Sequence, residues 1–193
     1  MGIQNLGDSN QYGLTLALGG GEVSLLEMTN AYAVFANEGI KNESTPILEI
    51  RNKSNDLLEK FQIKSSQILD KEITRQISDV LSDNVARTPA YGPHSLLYFP
   101  GRDIAVKTGT TNDYRDAWII GYSPDITVGA WAGNNDNHAM EKKVAGQIIA
   151  PLWNSFISQI ISDIPDTKFI SPLPPKESEL KPVMRGLWKG GYS

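Results

Sequence analysis

Lys107-Thr108-Gly109-Thr110-Thr111 is the stretch of this chain whose residue types and order are best suited to chemistry. An ammonium beside two threonine hydroxyls makes a compact receptor for a carboxylate. Gly109 has no side chain, so an extended ligand can lie against the strand and pair with its backbone. The Thr110 backbone N–H can then donate to a reacting carbonyl as part of an oxyanion hole. A Lys-Thr-Gly tripeptide also arises by chance in ordinary compositions, and taken alone it reads as a solvated strand end. Its meaning depends on what surrounds it.

Three short apolar runs, at 104–111, 117–123 and 126–133, read as consecutive strands. Ser123-Pro124-Asp125 is a tight turn, so the last two are expected to be antiparallel neighbours. In the middle strand Trp118, Ile120 and Tyr122 alternate with Ala117, Ile119 and Gly121, and both sets are largely apolar. Both sheet faces should therefore be covered. The expected fold class is α+β, an antiparallel sheet with helices on both faces.

Three helices are available to cover it. Ser24-Leu25-Leu26-Glu27 reads as a capping box, followed by a helix with Leu25, Met28, Tyr32, Phe35 and Ala36 on one face and Gly39 at its end. A second helix starting at Asp70 should bury Ile73, Ile77, Val80 and Leu81. A third, over 147–163, should turn Ile149, Leu152, Trp153, Phe156 and Ile160 inward, with Pro151 in its first turns or at a kink. Residues 46–51 and 57–61 suggest a hairpin around a turn-rich tip, and 89–100 a long loop. Gly19-Gly20-Gly21 interrupts any regular element near the start. The division expected is a domain over 1–164 and an extended tail over 165–193, rich in proline (Pro172, Pro174, Pro175, Pro182).

The 193 residues suit one domain with a real core, and the net charge of −4 does not indicate a nucleic-acid surface. The absence of cysteine excludes disulfides, thiolate metal sites and cysteine nucleophiles. No apolar stretch approaches the roughly 18 residues that span a membrane, and the first residues do not read as a secretory leader. Leu6 stands where a myristoylation signal needs Ser or Thr.

With those elements in place, the sequence resembles the class A penicillin-binding proteins. The resemblance is carried by Ala105-Val106-Lys107-Thr108-Gly109-Thr110-Thr111-Asn112-Asp113, then Arg115-Asp116-Ala117-Trp118, then Ile120-Gly121-Tyr122-Ser123-Pro124-Asp125. It continues through Val128-Gly129-Ala130-Trp131-Ala132-Gly133-Asn134-Asn135-Asp136 and Ala150-Pro151-Leu152-Trp153. Upstream, residues 16–23 and 31–39 are similar to the same family's glycine-rich approach and core helix. The order is right over roughly residues 1–160, which makes coincidence untenable.

The resemblance implies a serine acyl-transferase acting on peptidoglycan stem peptides that end in D-Ala-D-Ala, and acylated by β-lactams. Its site is built from Ser-x-x-Lys, Ser-x-Asn and Lys-Thr-Gly motifs. By that resemblance Lys107, Thr108 and Thr110 hold the terminal carboxylate beside Gly109, and the Thr110 N–H is half of the oxyanion hole. No cofactor or metal is implied. The first two motifs should precede the segment that opens this chain, so the expectation is the C-terminal part of the domain. It would be inactive without its N-terminal half and would expose the apolar surface that half should cover. The parent would work at the extracytoplasmic face of the cytoplasmic membrane. A class B transpeptidase, a D,D-carboxypeptidase, a β-lactamase or a non-catalytic binding module of the same fold are the alternatives.

Several local patterns imitate site motifs. Ser178-Glu179-Leu180-Lys181 spells Ser-x-x-Lys, but it follows the Lys-Thr-Gly strand and runs into Pro182. Ser82-Asp83-Asn84 spells Ser-x-Asn at a helix end, where capping is the expected role. Gly19-Gly20-Gly21-Glu22-Val23-Ser24 mimics a dinucleotide fingerprint but has Ser24 in place of the third glycine. Val106 excludes a phosphate-binding Walker loop. His94 and His138 stand alone, Asp116 should make a strand-end hydrogen bond, and Trp118, Trp131 and Trp153 are expected to pack in the core.

Overall fold

A computed structural model of the chain describes residues 1–4, 6–8 and 12–174. Its centre is an antiparallel three-stranded sheet. We number the strands after four short ones: β1 Ile40–Asn42, β2 Glu49–Arg51, β3 Leu57–Lys60 and β4 Ser65–Gln67, then β5 Ala105–Thr110, β6 Asp116–Tyr122 and β7 Thr127–Gly133. The sheet order is β5-β6-β7, and β1–β4 and β2–β3 form separate two-stranded ribbons. The expected hairpin is β2–β3, exposed along its whole length. The turn after β6 closes with the Ser123 N–H on the Ile126 carbonyl, 2.9 Å.

Helices lie on both faces, as the α+β reading required. On one face sit α1 (Leu25–Ala36) and α2 (Lys71–Ser82). Gly129 of β7 lies so close to Thr29 and Leu25 of α1 that no larger residue fits there. Helix α1 begins as expected, with Ser24 Oγ accepting from the Glu27 N–H at 3.2 Å. It ends through Glu38 and Gly39, both at positive φ, and the Gly39 N–H closes on the Val34 carbonyl. A Cβ at Gly39 would collide with the Leu69 carbonyl, so the turn requires glycine. Glu38 is tied to Arg75 of α2 by two bonds of 2.7 and 2.8 Å.

The opposite face carries the main core. Helices α4 (Ala145–Ile148) and α5 (Ala150–Ile160) place Ile149, Trp153 and Ile157 against Val106, Ala117 and Ile119. Trp153 is 1% exposed, stacks edge-on to Phe99 and donates its Nε1–H to the Val128 carbonyl at 3.0 Å. Gly121 makes room for its ring, since any Cβ there would collide with it.

The expected face of α1 is half-buried, with Tyr32 and Phe35 against Tyr122, and its fully buried residues are Ala31 and Val34. Three other expectations about helices fail, each for a physical reason. In α2 the apolar stripe is split: Ile73 is 51% and Val80 70% exposed, Ile77 and Leu81 are half-buried, and the fully buried residues are Thr74 and Ser78. Small hydroxyl residues win because Thr74 returns its proton to the Lys71 carbonyl and Ser78 bonds the Tyr122 hydroxyl, at 3.0 Å, so neither is left unpaired.

Part of the supposed loop at 89–100 is helix α3 (Asn84–Tyr91), which runs through Pro89. Asp83 caps it by accepting from the Val85 and Ala86 N–H groups, and the proline forfeits one bond, to a carbonyl on an exposed turn. Finally, the last helix is two, α4 and α5, meeting at Ile149, with Pro151 in the first turn of the second. Its buried line is the i, i+4 row 149–153–157, which leaves Leu152 and Phe156 exposed.

Residues 165–174 contain no helix or strand and lie across the end of the sheet. Thr167 donates twice to Asp125, Phe169 packs edge-on against Tyr122 at 5.6 Å, and Arg102 donates to the Ile161, Ile164 and Pro165 carbonyls. Burial pushes the Tyr122 phenol up to about 12 from its ordinary 10.0, with the Ser78 hydroxyl only partly offsetting it. The raised value means stability is intact below pH ~10, where the unfolded phenol begins to ionise, and is lost as pH rises toward 12. Thermal melts taken across that window should show the fall, and Tyr122→Phe should flatten it. An unchanged slope in the variant would exclude Tyr122 as the source.

Candidate functional site

Strand β5 is an edge strand, and that decides what its residues present. The Thr111 N–H donates to the Asp116 carbonyl at 3.2 Å. Alternation along the register Gly109↔Trp118 and Lys107↔Ile120 then turns those backbone groups toward β6. The N–H groups of Val106, Thr108 and Thr110 point the other way, along an edge with no strand partner among the described residues.

Side chains divide across the pleat. Lys107 and Gly109 belong to the face of Trp118 and Ile120, and Thr108 and Thr110 to the face of α4. The Lys107 ammonium is exposed and folds back onto the Thr108 carbonyl at 2.6 Å, which brings its charge to the free edge. Thr108 Oγ1 lies 2.7 Å from the Tyr91 hydroxyl. Thr110 Oγ1 accepts from the Ala145 N–H at 2.9 Å, at the start of α4. Both threonine hydroxyls are thus held on one side of the strand, and the ammonium reaches the edge from the other.

The far end of β5 is clamped by Asp116, which makes strand-end hydrogen bonds. Its carboxylate accepts from Thr111 Oγ1 at 2.9 Å and from the Trp131 indole at 3.0 Å, and its N–H donates to Thr111 Oγ1 at 2.8 Å. The turn between the strands carries two residues at positive φ, Asp113 and Tyr114. The Met140 N–H holds the second of them through its carbonyl, 2.9 Å. Trp118 and Trp131 are not core residues: they form a cross-strand pair with centroids 6.5 Å apart, and Trp131 is 36% exposed. Only Trp153 of the three is buried.

The other sequence candidates lie elsewhere. Asp83 is the α3 cap, so Ser82-Asp83-Asn84 serves a helix boundary. His138 is an exposed loop residue beside Asp136, and His94 is exposed near Tyr98. Among the described residues no cluster of His, Asp and Glu could hold a metal ion. Ser178-Glu179-Leu180-Lys181 and Pro182 lie outside the described residues. Tyr91 and Ala145 were missed from sequence: each contributes through one bond, to a residue 17 or 35 positions away, and no local pattern signals it.

A cleft of about 350 Å³ opens at the opposite end of β5, between α2, residues 97–104 and residues 168–172. Its cations are already engaged, Arg87 and Arg102 with backbone carbonyls and Lys168 with Gly101 and Asp166.

A helix-flanked antiparallel sheet whose edge strand bears Lys-Thr-Gly defines the β-lactamase and penicillin-binding transpeptidase fold. Residues 2–154 match the penicillin binding protein transpeptidase domain, and the chain belongs to that family. The class A resemblance drawn from the sequence stands. Penicillin-binding protein 1A of Aquifex aeolicus is 34% identical over 163 residues, 84% of this chain and 22% of the relative. Penicillin-binding protein 1A of Neisseria gonorrhoeae is 33% identical over 151 residues, 75% of this chain and 18% of the relative. The chain therefore spans about a fifth of the length of the curated relatives it matches.

Among solved structures, PonA1 of Mycobacterium tuberculosis in complex with penicillin V superposes with a TM-score of 0.75 at 18% identity, covering 90% of this chain and 49% of that one. Penicillin-binding protein 1A of Haemophilus influenzae gives 0.68 at 23% identity, covering 86% and 30%. At these identities the superpositions establish the fold.

Proposed function

We propose that this chain supplies the substrate strand of a serine D,D-transpeptidase that cross-links peptidoglycan stem peptides ending in D-Ala-D-Ala. The observation that carries the proposal is the unpaired outer edge of β5, where the Thr110 N–H and the Lys107 ammonium meet. An extended peptide lying along that edge pairs with the Thr108 and Thr110 backbone. Its terminal carboxylate is held by Lys107 and by the Thr108 and Thr110 hydroxyls, beside the bare backbone of Gly109. The Thr110 N–H then donates to the carbonyl oxygen of the bond being broken, on which negative charge develops in the transition state.

The serine comes from a Ser-x-x-Lys segment outside this chain, which completes the portion of the domain that residues 1–164 supply. No such motif precedes β5 in the sequence. Two features support a complementary segment: the outer edge of β7 has no strand partner among the described residues, and α2 turns Ile73 and Val80 outward. β-Lactams are acylating ligands of the completed site, and the penicillin V complex of PonA1 supports this. The working location is the extracytoplasmic face of the bacterial cytoplasmic membrane; no helix among the described residues is long and apolar enough to cross it.

Intact mass after incubation with excess benzylpenicillin tests the division of labour. The chain alone should carry no adduct. The same chain joined to the Ser-x-x-Lys portion of a relative should carry one. A stable adduct on the chain alone, or none on a folded fusion, would overturn the proposal.

A further inference from the structure

The two threonine hydroxyls of β5 are each backed by a second group. A hydroxyl has one proton to donate and two lone pairs that accept. At Thr110 one lone pair is filled by the Ala145 N–H at 2.9 Å, so its proton is free to point elsewhere. At Thr108 the corresponding partner is the Tyr91 hydroxyl at 2.7 Å, where either oxygen can be the donor.

Tyr91 is the last residue of α3, and the Gly92 N–H closes that helix on the Thr88 carbonyl. Its ring lies against Gly146 of α4, where an added Cβ would come within 3.1 Å of the ring. Tyr91 is 40% exposed, so the contact is at the surface, open to a ligand on the β5 edge.

We propose that Tyr91 is a positioning residue for the carboxylate that Lys107, Thr108 and Thr110 receive, and this rests on the substrate-strand function proposed above. With an anion at the edge, the phenol O–H donates to Thr108 Oγ1, and the Thr108 proton turns to the carboxylate. Thr110 is already oriented in the same sense by Ala145. Each donor in such a chain polarises the next, so the Tyr91–Thr108 pair binds an anion more strongly than Thr108 alone. A neutral carboxamide carries no charge to settle the direction of the chain, and it gains little. Tyr91 thus sharpens the preference for a free C-terminus.

The test uses the 193-residue chain and two probes, N-acetyl-D-alanyl-D-alanine and its C-terminal amide. Kd values for both are measured by amide NMR titration of the unsubstituted chain, Tyr91→Phe, Thr108→Val and the double variant. Phenylalanine keeps the ring on Gly146 and removes only the hydroxyl, and an unchanged melting temperature verifies that the fold is intact. Tyr91→Phe should lower the ratio of carboxylate to amide affinity roughly fivefold, as expected for loss of one hydrogen bond. The double variant should be no worse than Thr108→Val alone.

An unchanged ratio in Tyr91→Phe would overturn the inference while leaving the substrate strand intact. Equal weakening for both probes would make Tyr91 merely structural. Failure of the unsubstituted chain to prefer the carboxylate would remove the substrate-strand function itself, and this inference with it.

Discussion

Trp153→Ala should cost about 3–5 kcal/mol of stability, the range for truncating a buried tryptophan. Its ring is 1% exposed, seated over Gly121 and edge-on to Phe99, and its Nε1–H reaches the Val128 carbonyl. Gly121, on which the ring rests, has no side chain to fill the space left behind. Total stability of a domain is about 5–15 kcal/mol, so the variant should be marginal at ordinary temperature. The effect reaches the site as well, since α4, whose Ala145 orients Thr110, meets at Ile149 the helix that Trp153 anchors. Urea unfolding followed by circular dichroism measures it. A loss under about 1 kcal/mol would mean that this layer is not the principal core.

Lys107→Ala should have the largest effect on ligand recognition and little on folding. The ammonium is exposed and its one hydrogen bond is to the neighbouring Thr108 carbonyl, so the fold should change by less than about 0.5 kcal/mol. A hydrogen bond to a charged group contributes about 1.5–3 kcal/mol. Affinity for a free-carboxylate dipeptide should therefore fall roughly ten- to hundredfold, nearer the lower figure because the site is open to solvent. Added salt should weaken binding by the unsubstituted chain more than by the variant. Equal affinity in the two chains would take Lys107 out of the site.

The sheet and its edge strand were legible because short apolar runs bounded by Gly, Pro and Asp specify antiparallel strands with little competition. Ser24 and Asp70 marked two helix starts correctly. Helix faces were harder. In α2 the periodicity of Ile73, Ile77, Val80 and Leu81 is real, yet the helix docks through Thr74 and Ser78, because the Tyr122 phenol needs a hydroxyl partner. A sequence reading ranks isoleucine above serine for burial and cannot see that partner.

Residues 107–110 were identified together from motif order, but their separation across the pleat follows only from register. Lys107 reaches the edge from one face, and Thr108 and Thr110 sit on the other with Tyr91 and Ala145. Proline misled once, at Pro89, where a capped and exposed short helix tolerates it. Tryptophan misled at Trp118 and Trp131, whose pairing places them beside Gly109 and Asp116 at the rim of the sheet.

Amide NMR mapping of N-acetyl-D-alanyl-D-alanine on the chain tests the central claim most directly. Saturable shifts concentrated at Thr108, Thr110 and Thr111 are the predicted result, since those groups line the free edge and its clamped end. Saturation confined to the cleft around Arg102 and Lys168, or no saturable shift along β5, would contradict it.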